Sequence, residues 1–307
     1  MKIKNVLSLF DGCSCLQVAL GYAGIEYENY YASEVDKHAI KITQKNYPDT
    51  FQLGDVHFVS QERLPKIDLL CGGSPCQDLS IAGKQKGLKG SRSALFWEYI
   101  RVLRETKPRW FILENVASMK KVDRDVITKE MGVEPILINS SLTSAQNRRR
   151  LYWANIPVQQ PEDQVIYLKD ILEPIENIDE RLKIRDKSKT IRVGGRGSPI
   201  GSKQEWDSLF KVAYLGTDSQ SRRVYSPNGK SVCLSANGGG GGAKTGLYEI
   251  ASDFRRLSAV ECERLMSLPD NYTEHPDVSP TQRYKMCGNG FEARAVAHIL
   301  CGIKGGV

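Results

Sequence analysis

The stretch NVLSLFDGCSCLQVALGYAG, residues 5–24, decides the fold. Its first part, residues 5–10 (NVLSLF), is a short apolar run that ends in an Asp-Gly turn signal. Residues 16–23 then repeat apolar side chains at helical spacing and stop at Gly24. Working outward, residues 27–33 read as a second strand and residues 35–46 as a helix halted before Pro48. Residues 51–53, 67–71, 110–113 and 136–139 are further strand candidates, and residues 93–106 and 124–131 are helical patterns. Strands that alternate with helices through short turns predict an α/β fold with a doubly wound, mostly parallel sheet.

That alternation ends at residues 153–157 (WANIP). From there to about residue 252 the chain lacks long periodic segments and is rich in Gly, Ser, Lys and Arg. Two stretches echo each other, KSKTIRVGG from Lys187 and KSVCLSANGG from Lys230, each reading as a short strand entering a glycine loop. Residues 237–242 (NGGGGG) leave two readings open, a flexible linker or a loop that orders against a ligand. Order returns at Ser258-Ala-Val-Glu261, a capping-box pattern opening a helix to about residue 267, and residues 293–300 form a last apolar helix. The expected division is residues 1–157, a small inserted domain over 158–252, and 253–307 completing the first domain.

The 307 residues carry Lys+Arg 43 against Asp+Glu 36, a net charge of +7 that suits a polyanionic partner without requiring one. No apolar run approaches the roughly 18 residues of a membrane span, and the N-terminal apolar run meets Asp11 too early for a secretory signal. The eight cysteines form no CxxC pair, which speaks against zinc and against a disulfide framework. All but Cys76 are expected to be small buried fillers. A cytosolic enzyme or binding protein is the class that remains.

Four places carry chemistry. Residues 9–15 (LFDGCSC) form a strand-to-helix turn of the kind that holds nucleotides, without the GxGxxG of a pyrophosphate cradle. Glu34 after the second strand and Asp55 after the third would receive ribose hydroxyls and an adenine amino group. Either acid alone reads more readily as a helix cap. In that order they indicate an adenosine-bearing cofactor, and the missing diphosphate signature ranks S-adenosylmethionine above NAD. In residues 72–87 (GGSPCQDLSIAGKQKG), Cys76 sits behind Ser-Pro at a strand end with Lys84 and Lys86 downstream, conditions that favour a thiolate. Glu114 ends the strand of ILENV and would emerge beside Cys76 if the two strands are close neighbours. A thiolate and a carboxylic acid together suit addition to carbon 6 of a pyrimidine with support at ring nitrogen 3. In residues 144–153 (SAQNRRRLYW), Arg148 and Arg150 are expected on one side of a strand, where guanidiniums grip phosphates and the pyrimidine oxygen 2; a plain solvent-facing basic strand is the other reading.

The ordered set FDG, Glu34, GDV, PCQ, ENV, QxRxR (Gln146, Arg148, Arg150) and GNGF (residues 288–291) resembles the DNA (cytosine-5) methyltransferase family, its small phage and bacterial members and its de novo type in particular. The resemblance implies a Rossmann-like S-adenosylmethionine-dependent fold. It implies that Cys76 is the nucleophile, Glu114 the partner of ring nitrogen 3, and Arg148 and Arg150 the binders of the target nucleotide. Phe10, Asp11, Gly12, Ser14, Glu34, Val35, Asp55, Leu95, Asn289 and Phe291 would line the S-adenosylmethionine pocket. Gln77 and the loop over residues 79–92, with Ser80, Lys84 and Arg92, would close over a flipped cytosine. Arg192, Arg196, Arg222, Arg223 and Lys244 of the basic middle segment are the candidates for contacts to double-stranded DNA, with residues 158–252 as the target-recognition region. Cys13, Cys15 and Val35 depart from the family pattern around the cofactor. The implied product is S-adenosylhomocysteine, with no metal and no membrane, a monomer, and a bacterial or phage-infected cytoplasm. A tRNA cytosine methyltransferase, a silent DNA-binding relative and a nicotinamide oxidoreductase are the competing readings.

Overall fold

The structure, a computed structural model, describes residues 1–74, 94–174, 211–214, 223–234, 247–250 and 253–305. Backbone proximity divides the chain into two units. The first comprises Met1–Asn139, Arg149–Pro161 and Gly290–Val307; the second comprises Ser140–Arg148 and Glu162–Asn289. The second therefore takes in the segment 140–148 and runs on to residue 289, beyond the 158–252 expected from composition.

The first unit is a seven-stranded sheet in the order β3-β2-β1-β4-β5-β7-β6. Its strands are β1 (Lys2–Leu9), β2 (Glu26–Ser33), β3 (Phe51–Gln52), β4 (Leu69–Gly73), β5 (Trp110–Val116), β6 (Ile136–Asn139) and β7 (Arg149–Ala154). All pairings are parallel except those of β7, which runs antiparallel to β5 and β6. The doubly wound expectation holds. β1 is central, and Val6, Leu7, Ser8 and Leu9 are fully buried, which is why its second half reads as a near-continuous apolar run instead of alternating. Helices α1 (Cys15–Tyr22), α2 (Lys37–Asn46), α3 (Ala94–Thr106) and α4 (Lys121–Met131) connect the strands, and α7 (Ala293–Gly305) closes the unit.

Leu7, Leu9, Leu70, Phe96, Tyr99, Leu113 and Trp153 belong to one core cluster. Its two polar handles are satisfied: the Tyr99 hydroxyl donates to the Ile112 carbonyl at 3.0 Å, and Trp153 Nε1 donates to Thr128 Oγ1 at 2.9 Å. At α7 a Cβ on residue 302 would lie 2.1 Å from the Pro157 carbonyl oxygen, so only glycine lets that helix and segment approach.

The second unit contains a four-stranded sheet in the order β11-β10-β9-β8, formed by β8 (Lys211–Tyr214), β9 (Arg223–Tyr225), β10 (Leu247–Ile250) and β11 (Asp253–Arg255). Helices α5 (Ala259–Leu265) and α6 (Pro280–Asn289) follow. The capping box at Ser258 forms: its Oγ accepts from Glu261 N at 3.1 Å, and Glu261 Oε2 accepts from Ser258 N at 2.8 Å. The same buried carboxylate takes two bonds from Arg255, at 2.7 and 2.8 Å.

Two expectations are corrected. The strand expected from Lys230 is reduced to one bridge, Gln146 to Ser231, because its neighbour there is an irregular segment that offers one residue for pairing. Its echo from Lys187 lies outside the described residues. Among the cysteines, Cys301 is exposed and Cys233 half-buried, since Cys301 falls on the outer face of α7 and Cys233 in irregular backbone.

Candidate active site

In a doubly wound sheet the ligand crevice lies beyond the carboxyl ends of strands where the winding reverses. Here that point falls between β1 and β4, whose ends are in register at Leu9 and Gly72, while Leu9 also faces Ser33 at the end of β2. The turn after β1 is strained. Phe10, Gly12 and Ser14 all have positive φ, at 57°, 61° and 59°. Glycine adopts that conformation freely, but Phe10 and Ser14 rarely would, and their persistence there marks a segment whose shape is imposed by its surroundings.

What imposes it is a buried polar network. Asp11 is 6% exposed and accepts from the Tyr30 hydroxyl at 2.6 Å and from the Ser14 hydroxyl. Gln17 Nε2 donates to Ser14 Oγ at 3.1 Å and to Thr50 Oγ1 at 3.0 Å, and Tyr27 donates to Gln17 Oε1 at 2.5 Å. Burial, with a smaller contribution from the Glu34 charge, pushes the Asp11 carboxyl up to about 6, even though the hydroxyl donors pull the other way. Glu34 Oε2 accepts from Gly12 N at 2.8 Å, and its Oε1 from Val35 N at 2.7 Å and Asp36 N at 2.8 Å. Glu34 thus braces the turn from across the crevice and keeps lone pairs for a further donor. Asp55 caps a short 3-10 turn. Its Oδ1 takes the His57 amide at 3.0 Å and the His57 ring at 2.6 Å; the amide, then the ring, hold its carboxyl below the usual range.

The second cluster lies at the ends of β4 and β5. Gly73 is in register with Glu114, and Val116 with Arg150. Arg150 Nε lies 2.8 Å from Glu114 Oε1, each side chain being 12% exposed. A Cβ on residue 73 would meet the Phe291 ring at 2.8 Å and Glu114 Oε2 at 3.1 Å, so the glycine allows Phe291 and the carboxylate to close on the strand end. Asn115, fully buried, donates from Nδ2 to Ser74 Oγ at 3.0 Å and to the Ser74 carbonyl at 3.3 Å. It pins the last described residue before Pro75 and Cys76. Reading ENV for its acid alone misses Asn115; the signal was an amide at a buried strand end, which must find partners.

Not every expected residue joins these clusters. Arg148 does not share a strand face with Arg150: β7 begins at Arg149, because Arg149 pairs with Asn139 while the Arg148 carbonyl accepts from Ser140 N at 3.0 Å and closes a loop. Arg148 belongs to the second unit, is 2% exposed, and donates from both Nη atoms to the Gly288 carbonyl at 3.3 and 3.2 Å. Asn289 is exposed at the end of α6, in the second unit, whereas Phe291 lies in the first and is 8% exposed. Leu95 is half-buried against the core, and Val35 is 69% exposed. Cys76, Gln77, Ser80, Lys84, Arg92, Arg192, Arg196, Arg222 and Lys244 lie outside the described residues, and of Arg223 only the backbone, in β9, is described.

The first-unit cluster suits an adenosine group carrying no diphosphate. Carboxylates end β2 and follow β3, the positions from which hydroxyl and amino donors are received, and Val35 leaves apolar surface beside them. Gly12 faces open space, with nothing within 4 Å of a Cβ built there.

Residues 4–304 match the model of C-5 cytosine-specific DNA methylases. The chain is 31% identical over 316 residues to the type II methyltransferase M.HhaI of Haemophilus parahaemolyticus, a match covering 97% of this chain and 93% of that protein. It is 30% identical to the orphan methyltransferase M.Rho11sI of Bacillus phage rho11s, over 81% of this chain and 61% of the relative. Among solved structures it is similar to the Entamoeba histolytica methyltransferase EhMeth, with a TM-score of 0.73 at 14% identity over 99% of this chain and 98% of that one. It is also similar to the S. pombe Dnmt2 methyltransferase, with a TM-score of 0.67 at 16% identity over 96% of each chain. These two likenesses bear on the fold. The chain is an enzyme of the C-5 cytosine-specific DNA methylase family.

Proposed function

We propose that the protein transfers a methyl group from S-adenosylmethionine to carbon 5 of a cytosine flipped out of duplex DNA, through a transient bond from Cys76. The observation that carries this reading is the Glu114–Arg150 pair at the end of β5, directly across from Gly73. Cys76 follows Gly73 by three residues, a covalent reach of at most about 11 Å. Thiol and carboxyl are thereby tethered to neighbouring strand ends.

The cofactor's sulfonium supplies an electrophilic methyl group. The chain's own residues do the rest. The thiolate of Cys76 adds to carbon 6 while Glu114 supports ring nitrogen 3, so that charge gathers at carbon 5 and that carbon takes the methyl group. Arg150 occupies one Glu114 oxygen and orients the other. A base then removes the carbon 5 proton, and its bonding pair re-forms the ring double bond as the Cys76 thiolate leaves. Flipping costs a few kcal/mol, to be met by contacts from the basic middle segment, 158–252, acting as the recognition region. Glu34, Asp55, Phe10, Gly12 and Phe291 would hold the adenosine portion, and a bacterial or phage-infected cytoplasm suits such an enzyme.

Methyl transfer to duplex DNA, followed by bisulfite sequencing of the product, tests the assignment. Modified cytosine at a defined site is expected from the wild type. Cys76→Ser should lose at least about a thousandfold in rate and Glu114→Gln roughly a hundredfold. Transfer to tRNA but not to DNA, or full activity of Cys76→Ser, would overturn it.

A further inference from the structure

In the second unit, Lys230 is 4% exposed, a burial that lysine tolerates only when its ammonium protons find acceptors. Three backbone carbonyls provide them. Nζ donates to Ile166 O at 2.5 Å, Ser141 O at 2.8 Å and Ser144 O at 3.4 Å. The Tyr167 ring lies 5.4 Å from Nζ, and Asp163 Oδ1, on the more exposed side, lies 3.9 Å away. Two of the carbonyls belong to the loop that Ser140 N and Arg148 O close upon itself, so the ammonium sits where a bound cation would hold that loop.

The next residue continues the grip. Ser231 N donates to Ala145 O at 2.7 Å, and Asn147 N donates to Ser231 O at 2.8 Å. Residues 230 and 231 together bond positions 141, 144, 145 and 147, between which stands the fully buried Gln146, with Arg148 directly after. Arg148 then reaches Gly288 O, and its Nη1 lies 3.6 Å from Cys233 Sγ. We infer that Lys230 is a positioning residue for the reaction: its ammonium locks the loop 140–148 and so fixes Gln146 and Arg148 in the posture from which Arg148 engages the target nucleotide. This rests on the proposed function, with Arg148 in the target-nucleotide role that the family resemblance implies; the locking of the loop stands on the contacts alone.

Lys230→Met keeps the aliphatic stem and removes the three donors. Amide hydrogen exchange is expected to speed up by about tenfold or more in residues 141–148 and to stay unchanged in β1 and β2. S-adenosylmethionine affinity should hold, while kcat and kcat/KM for DNA fall together by about 10- to 100-fold. In an Arg148→Ala background the same change should cost less than about threefold, since the residue acts through Arg148. Should Lys230→Met fail to fold, Tyr167→Leu, which withdraws the ring from the Lys230 ammonium and leaves its three carbonyl acceptors, should move exchange and rate the same way by less. Unchanged exchange in 141–148, or losses that multiply with those of Arg148→Ala, would overturn the proposal. A wild type inactive on DNA would instead sink the proposed function, and the exchange result would still decide Lys230.

Discussion

Asp11 shows how one residue's surroundings become a measurable property. Its carboxyl is raised from 3.8 to about 6, so the folded protein holds that proton more tightly than the unfolded chain does. The sign follows: the stabilisation is fully present below about pH 4 and is lost as pH rises through about 6, an effect on the order of 3 kcal/mol. Comparing unfolding of the wild type with Asp11→Asn between pH 4 and 7.5, the wild type should weaken relative to the variant across that window and then level off. A difference that stays flat with pH would show that Asp11 does not titrate there. Gly73 makes a steric prediction. Gly73→Ala puts a methyl 2.8 Å from the Phe291 ring and 3.1 Å from Glu114 Oε2. It should cost about 1–3 kcal/mol in chemical denaturation and lower kcat. Trimming the ring in Gly73→Ala/Phe291→Leu should recover part of the stability.

At the level of elements, the capping box predicts that Ser258→Ala shortens or frays α5 at a cost of about 1–2 kcal/mol, read from urea midpoints at constant m-value. A neutral result would mean that the bidentate Arg255–Glu261 pair holds the helix start unaided. This element was legible in advance because its signal is local: a serine three residues before a glutamate at the head of an apolar pattern. The central strands were legible for a similar reason, since burial on both faces writes itself as runs such as VLSL in β1. The strands of the second unit were not. β9 and β11 have three residues each, too few for alternation to register, and their order places β9 beside β10 across 21 intervening residues. Helix α6 begins at Pro280 and carries Gly288 near its end, so its helical pattern is weak in the sequence. At the site, Glu114 and Arg150 were legible as residue types, but their pairing is a product of β7 running antiparallel to β5. Arg148 was placed on the wrong element because sequence spacing cannot show that the loop closes just before the strand starts.

For the whole molecule, the net charge of +7 and the basic middle segment predict DNA binding that weakens steeply with salt. Arg223→Gln should reduce the slope of log affinity against log salt by about one, in anisotropy titrations, if that arginine meets a phosphate. An unchanged slope would remove it from the interface. Among the described residues no helix is long and apolar enough to cross a membrane, and no group of three or more His, Cys, Asp or Glu side chains is arranged to hold a metal ion. The proposed mechanism turns on a transient bond from Cys76 to carbon 6 of the target cytosine. The most direct test is to incubate the protein and S-adenosylmethionine with duplex DNA carrying 5-fluorocytosine at the methylated position, where fluorine cannot leave as the proton does. A denaturation-stable protein–DNA adduct whose modified peptide contains Cys76, absent from Cys76→Ser, is the predicted result. An adduct that persists in Cys76→Ser, or methylation of ordinary DNA by that variant at the wild-type rate, would contradict it.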